Sequence, residues 1–157
     1  MTFFTTELMI QLITSAICSM AFAVVFRVEA RHLLHTALIG LLTYFVYYTV
    51  IFFGLHIFVA SFLCTAFAAL YAEIYARVKR APTIVLLSPA VIPIVPGGDL
   101  YYTMQHLLNS RWQPALDALT RTLAVGLGIA GGIVVISIAF RIFVDHYSKA
   151  MARGTKE

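Results

Sequence analysis

Pro82-Thr-Ile-Val-Leu-Leu-Ser-Pro-Ala-Val-Ile-Pro-Ile-Val-Pro-Gly-Gly98 is an uncharged apolar stretch with four prolines and two closing glycines. A proline inside a helix removes a backbone donor and clashes with the preceding turn, and in hydrocarbon no water can satisfy the carbonyl it frees. Such a break survives only where neighbouring protein or a wet cavity repairs it. In membrane transporters that place is usually where half-helices meet around a binding site.

The residues on either side settle the class. With 61% hydrophobic and 11% charged residues among 157, and a mean hydropathy of +0.91, the chain has too little polar surface to coat a soluble globule. It reads as an all-α integral membrane protein made of one domain. A transmembrane helix takes about 20 mostly apolar residues, so the length allows four or five. Spans are expected at about 8–26, 33–53, 57–76, 82–109 and 114–145, the fourth broken at Pro-Gly-Gly, with 146–157 as a basic polar tail. Pro114 suits the first turn of the last helix, where its missing donor costs nothing. Arg121 and Arg141 lie twenty residues apart on that helix, about 30 Å of rise, and are expected to snorkel to opposite interfaces.

Positive charge sets the topology. If the broken segment crosses, Arg27, Arg31, Arg77, Lys79, Arg80, Arg141, Lys149, Arg153 and Lys156 share one side and only Arg111 and Arg121 the other, nine against two. If it is re-entrant, Arg111 and Arg121 join the first side, the C-terminal four leave it, and the split becomes seven against four. The positive-inside rule favours crossing, with five spans, the N-terminus outside and the C-terminus cytoplasmic. The residues ahead of the first span carry no Lys or Arg, so Ala21-Phe22-Ala23 is not expected to be a signal-peptide cleavage site.

Soluble-type chemistry has no foothold. No GxSxG, HExxH, P-loop or paired-acid pattern is present, so the chain is not expected to be an enzyme. Cys18 and Cys64 stand alone inside spans, giving neither a disulfide framework nor a metal pattern. His32 and His35, three apart in a basic loop, lack the further ligands a metal needs and are expected to be solvated. The formal charge of +4 collects at the inner face, where it points to anionic membrane lipid and not to nucleic acid.

Chemistry therefore concentrates at the break. Half-helices of about 20 and 16 Å place Pro96, Gly97 and Gly98 somewhat past the membrane centre, with the dipole of the second half available to a carboxylate. The alternative is a proline kink in an ordinary packed helix. Asp99 reads as the N-cap of the second half-helix, or as a proton- or cation-coupling carboxylate. Tyr101, Tyr102 and Thr103 bring hydroxyls just beyond, although Tyr102 and Trp112 also fit an aromatic belt. Elsewhere Ser15, Ser19 and Ala23, the run Ser61 to Ala76, and Ala124, Gly128 and Gly132 form small-residue stripes for close helix packing. Gln11 with Thr14, and Thr36, Gly40, Thr43, Tyr44 and Tyr47, mark two polar faces. Glu73 is expected to pair with Arg77 one turn on, with a proton relay as the other reading.

The run Ala23 to Gly40, Ala-Val-Val-Phe-Arg-Val-Glu-Ala-Arg-His-Leu-Leu-His-Thr-Ala-Leu-Ile-Gly, and the run Ser88 to Tyr101, Ser-Pro-Ala-Val-Ile-Pro-Ile-Val-Pro-Gly-Gly-Asp-Leu-Tyr, resemble the threonine/serine exporter (ThrE-like) family. Within it the chain is similar to the small membrane subunit of the split, two-component form. The resemblance covers nearly the whole chain and implies export of threonine and serine, or of a dicarboxylate such as succinate, across the inner membrane. It implies a larger ThrE-like membrane subunit as partner, no cofactor, and Tyr101 at the family's tyrosine position. From the break itself, substrate-binding or coupling residues are expected among Pro93, Pro96, Gly97, Gly98, Asp99, Tyr101 and Thr103, with Glu73, Gln11 and Tyr47 secondary. A proton or cation gradient is the expected drive. A non-transporting structural subunit, and self-association into a homo-oligomer, stay open.

Overall fold

The computed structural model describes residues 6–154. Six α-helices and one short 3-10 turn account for nearly all of them: α1 Thr6–Val25, α2 Ala30–Phe52, α3 Ile57–Lys79, α4 Thr83–Val91, the 3-10 turn Ile92–Ile94, α5 Gly97–Leu108 and α6 Trp112–Gly154. The protein is an all-α membrane protein. Four of the helices are long and apolar enough to span a bilayer, and α4 with α5 makes a fifth if the pair counts as one span bent by 48°. The region expected as a separate tail instead continues α6 as far as Gly154. The side chains of Lys149 and Arg153, and the whole of Lys156, lie outside the described residues.

Tight turns join the helices. After α1 the amide of Val28 reaches the carbonyl of Ala23 and that of Arg27 reaches Val24, and the same pair of bonds recurs after α2 and after α5. This is the Schellman closure, which needs a left-handed residue just past the helix. Gly54 supplies it once, but Arg27 and Ser110 adopt φ of 55° and 56°, and Arg80 caps α3 at φ 52°. Each non-glycine residue there gives up about 1 kcal/mol. His56 caps α3 by accepting the Phe58 amide at 3.2 Å.

Small residues decide which helices touch. Gly40 lies against α1, where an added Cβ would fall 2.5 Å from the Ser19 Cβ. A Cβ on Gly132 would fall 2.5 Å from the Phe62 carbonyl oxygen, and one on Gly128 2.7 Å from that of Phe58. Arg77 covers the Phe140 ring at 4.8 Å. The order Phe58–Gly128, Phe62–Gly132 and Arg77–Phe140 means that α3 and α6 run parallel. The chain between them must therefore return along the bundle, which α4 does. Its buried face of Leu86, Leu87, Ala90 and Val91 packs against Ile39 of α2 and Ala68, Ala69, Ala72 and Tyr75 of α3.

The return places the break past the middle of the bundle, toward one end: Pro93 shares a cavity with Gln11, Thr14, Ser15 and Cys18 from the middle of α1. Ile94 packs with Cys64 and Val125, and beside them Tyr47 and Ile57, so Pro96 sits near the level at which α3 begins. Since Phe58 is opposite Gly128, residues 112–127 of α6 run about 24 Å past that level. The apolar part of α6, Trp112–Val144, is about 50 Å long against a hydrocarbon core of about 30 Å. Its first half, with α5 packed on it, projects as a helical hairpin.

Candidate functional site

Backbone chemistry shapes the break. Pro89 lies inside α4, Pro93 opens the 3-10 turn, and the Gly97 amide reaches back to the Val95 carbonyl at 2.8 Å. With φ −79° and ψ 55° at Pro96, this is an inverse γ-turn. Pro96 is also the N-cap of α5 and accepts the Leu100 amide at 3.1 Å. Asp99 is therefore not the cap expected from the sequence. It occupies the third position of the helix, where its carboxylate still favours the dipole but makes no capping bond. Gly97 and Gly98 hold the first two positions, and a Cβ on either would meet nothing within 4 Å. They line no enclosed gap within this chain.

Two cavities flank the break. The first, of about 240 Å³, is lined by Gln11, Thr14, Ser15 and Cys18 of α1, Tyr44 of α2 and Pro93. The two polar faces legible in α1 and α2 thus meet the proline turn at one place. Ser15 and Thr14 direct their hydroxyls to carbonyls of their own helix, at 2.9 and 2.7 Å. Gln11 and Tyr44 remain the polar groups with reach. The second cavity, of about 260 Å³, is lined by Asp99, Tyr102 and His106 of α5 and by Pro114, Asp117, Ala118 and Arg121 of α6. Arg121 forms no ion pair within 4 Å with either acid; among the described residues that distance is met by Arg31 and Glu29. Both cavities fall below the roughly 300–1,000 Å³ of drug-sized sites, a scale that suits a small metabolite.

Tyr47 bridges them. Its ring stands 6.0 Å from that of Tyr44, centroid to centroid, while Asp99 and Arg121 are within electrostatic reach of its hydroxyl. The break therefore joins a cavity inside the bundle to a charged cleft at its end.

The profile of the threonine/serine exporter family, ThrE, matches residues 11–139. The chain belongs to this family. No curated protein and no solved structure matches it. Members of the ThrE family are transporters, and the matched region holds all the residues of both cavities. The protein is accordingly a multi-pass membrane protein of an exporter family.

Other site residues expected from the sequence fall differently. Tyr101, at the family's tyrosine position, is 64% exposed and lines neither cavity, whereas Tyr102, read as belt, lines the cleft and stacks near His106 at 6.4 Å. Thr103 is buried, and its hydroxyl donates to the Asp99 carbonyl at 2.7 Å. Glu73 makes no ion pair with Arg77. Both instead line a third cavity of about 360 Å³ with Ser137, Ile138 and Arg141 of α6, at the opposite end of the α3–α6 pair from the break.

Sequence reasoning missed one cluster outright. His32 and His35 are not a solvated loop but lie in α2, with His32 buried and its Nδ1 2.9 Å from the Tyr75 hydroxyl. The signal available was the start of α2: beginning at Ala30 rather than at Leu33, it brings both imidazoles onto the face that meets α3.

Proposed function

We propose that this chain is one subunit of a two-component exporter in the cell inner membrane, moving a small carboxylate-bearing metabolite outward through the broken segment. The cargo is an amino acid of the threonine/serine type or a dicarboxylate such as succinate. One observation carries the reading: the proline turn joins a polar cavity among α1 and α2 to a cleft holding two acids and a free guanidinium. In this reading Arg121 takes the cargo carboxylate, Asp99 or Asp117 takes an ammonium where the cargo has one, and Gln11, Tyr44 and Tyr47 pass it along. The second arginine cavity, with Glu73, Arg77 and Arg141, gathers cargo at the cytoplasmic end. A proton or cation gradient drives the cycle.

The partner is a larger ThrE-like membrane subunit. Both cavities are open-sided, and Gly97 and Gly98 face empty space, as expected where a second chain completes the site. The same openness favours a second reading, a non-transporting subunit whose broken helix docks a larger permease. Efflux from preloaded vesicles decides between them. Co-expression of both subunits is expected to restore export that neither gives alone, and substitution of Arg121 by Gln to abolish it with the complex intact. Normal export by an intact Arg121→Gln complex would leave the structural role.

A further inference from the structure

At the end of the bundle away from the break, three side chains outside both cavities form a buried polar cluster. His32 is 4% exposed and Tyr75 8%, and the His32 Nδ1 lies 2.9 Å from the Tyr75 hydroxyl, with the rings edge-on at 5.6 Å. On the other side of Tyr75 stands His35, its ring 4.7 Å away and tilted by 45°. Its Nδ1 is buried with no hydrogen-bond partner among the described residues. A buried ring nitrogen left without a partner is costly. Packing alone does not call for it, since an apolar side chain in that place would leave nothing unsatisfied.

We infer that His32, Tyr75 and His35 form the proton-binding site of the transport cycle, with the lone Nδ1 of His35 as the acceptor. The inference rests on the exporter reading and deepens it by naming the coupling ion. Histidine is the side chain whose ordinary titration falls between pH 5 and 8. A proton taken up at the lone nitrogen makes an imidazolium beside the Tyr75 ring. The Tyr75 hydroxyl donates to the His32 Nδ1 in one tautomer and accepts from it in the other, so it can follow the change.

The surroundings oppose a permanent charge. From α2 the nearby charged group is Arg31, tied at 2.6 Å to Glu29 just ahead of the helix. From α3 the adjoining group is the neutral phenol of Tyr71, stacked on Tyr75 at 6.4 Å. The faces of α4 and α6 packed on this cluster are aliphatic: Leu86, Leu87, Ile133 and Ile136. Glu73 and Arg77 turn toward the third cavity, shared with α6. Protonation thus adds a buried positive charge with no acid against it. The loaded state favours loosening of the α2–α3 seam, and the empty state favours the closed packing seen here.

The test uses the full chain in native-lipid nanodiscs with nitrogen-15 histidine, and efflux from vesicles carrying both subunits. Between pH 5 and 8 the resonance lost in His35→Gln is expected to titrate in the wild type, and Tyr75→Phe is expected to shift its midpoint. Efflux driven by a pH gradient is expected to fall about tenfold in His35→Gln, the usual scale of coupling between sites, while cargo exchange without a gradient persists. Asp99→Asn is expected to slow both alike. A His35 resonance that stays unchanged from pH 5 to 8, or full gradient dependence in a folded His35→Gln complex, overturns the inference. Absence of any wild-type efflux would count against the exporter reading, and the titration would still decide the proton site.

Discussion

Asp99 and Thr103 stand one turn apart on α5 and, in the proposed function, separate cargo contact from helix packing. The Asp99 carboxylate faces the cleft with Arg121, whereas the Thr103 hydroxyl is already committed to the Asp99 carbonyl. Asp99→Asn is expected to lower export about tenfold, the weight of one hydrogen bond to a charged group. The cost to folding is small, because a carboxylate near a helix N-terminus contributes only about 0.3–1 kcal/mol. Thr103→Val keeps the shape and removes only the local bond, so export is expected to stay within about twofold of wild type. Efflux rates of the two variants at equal complex levels check this, and a dead Thr103→Val with a normal Asp99→Asn would reverse the assignment. The acid was legible in the sequence because it follows the break directly. Its position was not, since Pro96 provides the cap through its backbone and no residue pattern announces an inverse γ-turn.

At the scale of the elements, the break and the α3–α6 seam make opposite demands on glycine. Gly132 faces the backbone of α3, so Gly132→Leu forces the helices apart and is expected to destabilise the chain by about 1–3 kcal/mol. A thermal unfolding scan in detergent reads that shift. Gly97 meets no atom of this chain, and Gly97→Leu is expected to leave its stability unchanged or slightly higher. Export is nonetheless expected to fail in Gly97→Leu, because in the proposed function cargo or the partner subunit approaches through that open space. Wild-type export there would move the site away from the break. The small-residue stripes and the five apolar stretches were readable because hydropathy and helical spacing are local properties of a sequence. The depth of the break could only be estimated from the lengths of the half-helices, because it depends on how far α4 returns along α3. That is fixed by Ile94 meeting Cys64 and Val125, contacts between residues about thirty apart in the chain.

For the whole molecule, the parallel run of α3 and α6 is the observation that charge counting could only anticipate. A re-entrant α4–α5 would bring α6 back antiparallel to α3, and the succession of Gly128 on Phe58, Gly132 on Phe62 and Arg77 over Phe140 forbids it. If α4 and α5 cross as one span, the number of crossings is odd and the two termini are expected on opposite sides. With Arg27, Arg31, Arg77, Lys79, Arg80 and Arg141 at one end, the positive-inside rule leads us to propose that this end is cytoplasmic. Single cysteines at Thr2, Gln113 and Thr155, in a background with Cys18 and Cys64 replaced by Ala, are therefore expected to react differently with a membrane-impermeant maleimide. Those at positions 2 and 113 should label in intact cells, and that at position 155 only after the membrane is opened. Gln113 is the decisive site, because the projecting α5–α6 hairpin carries it beyond the lipid if α4 and α5 together cross. Protection of position 113 with labelling of position 155 in intact cells would mean that the broken segment turns back, and that the parallel packing of α3 and α6 does not exist in the membrane.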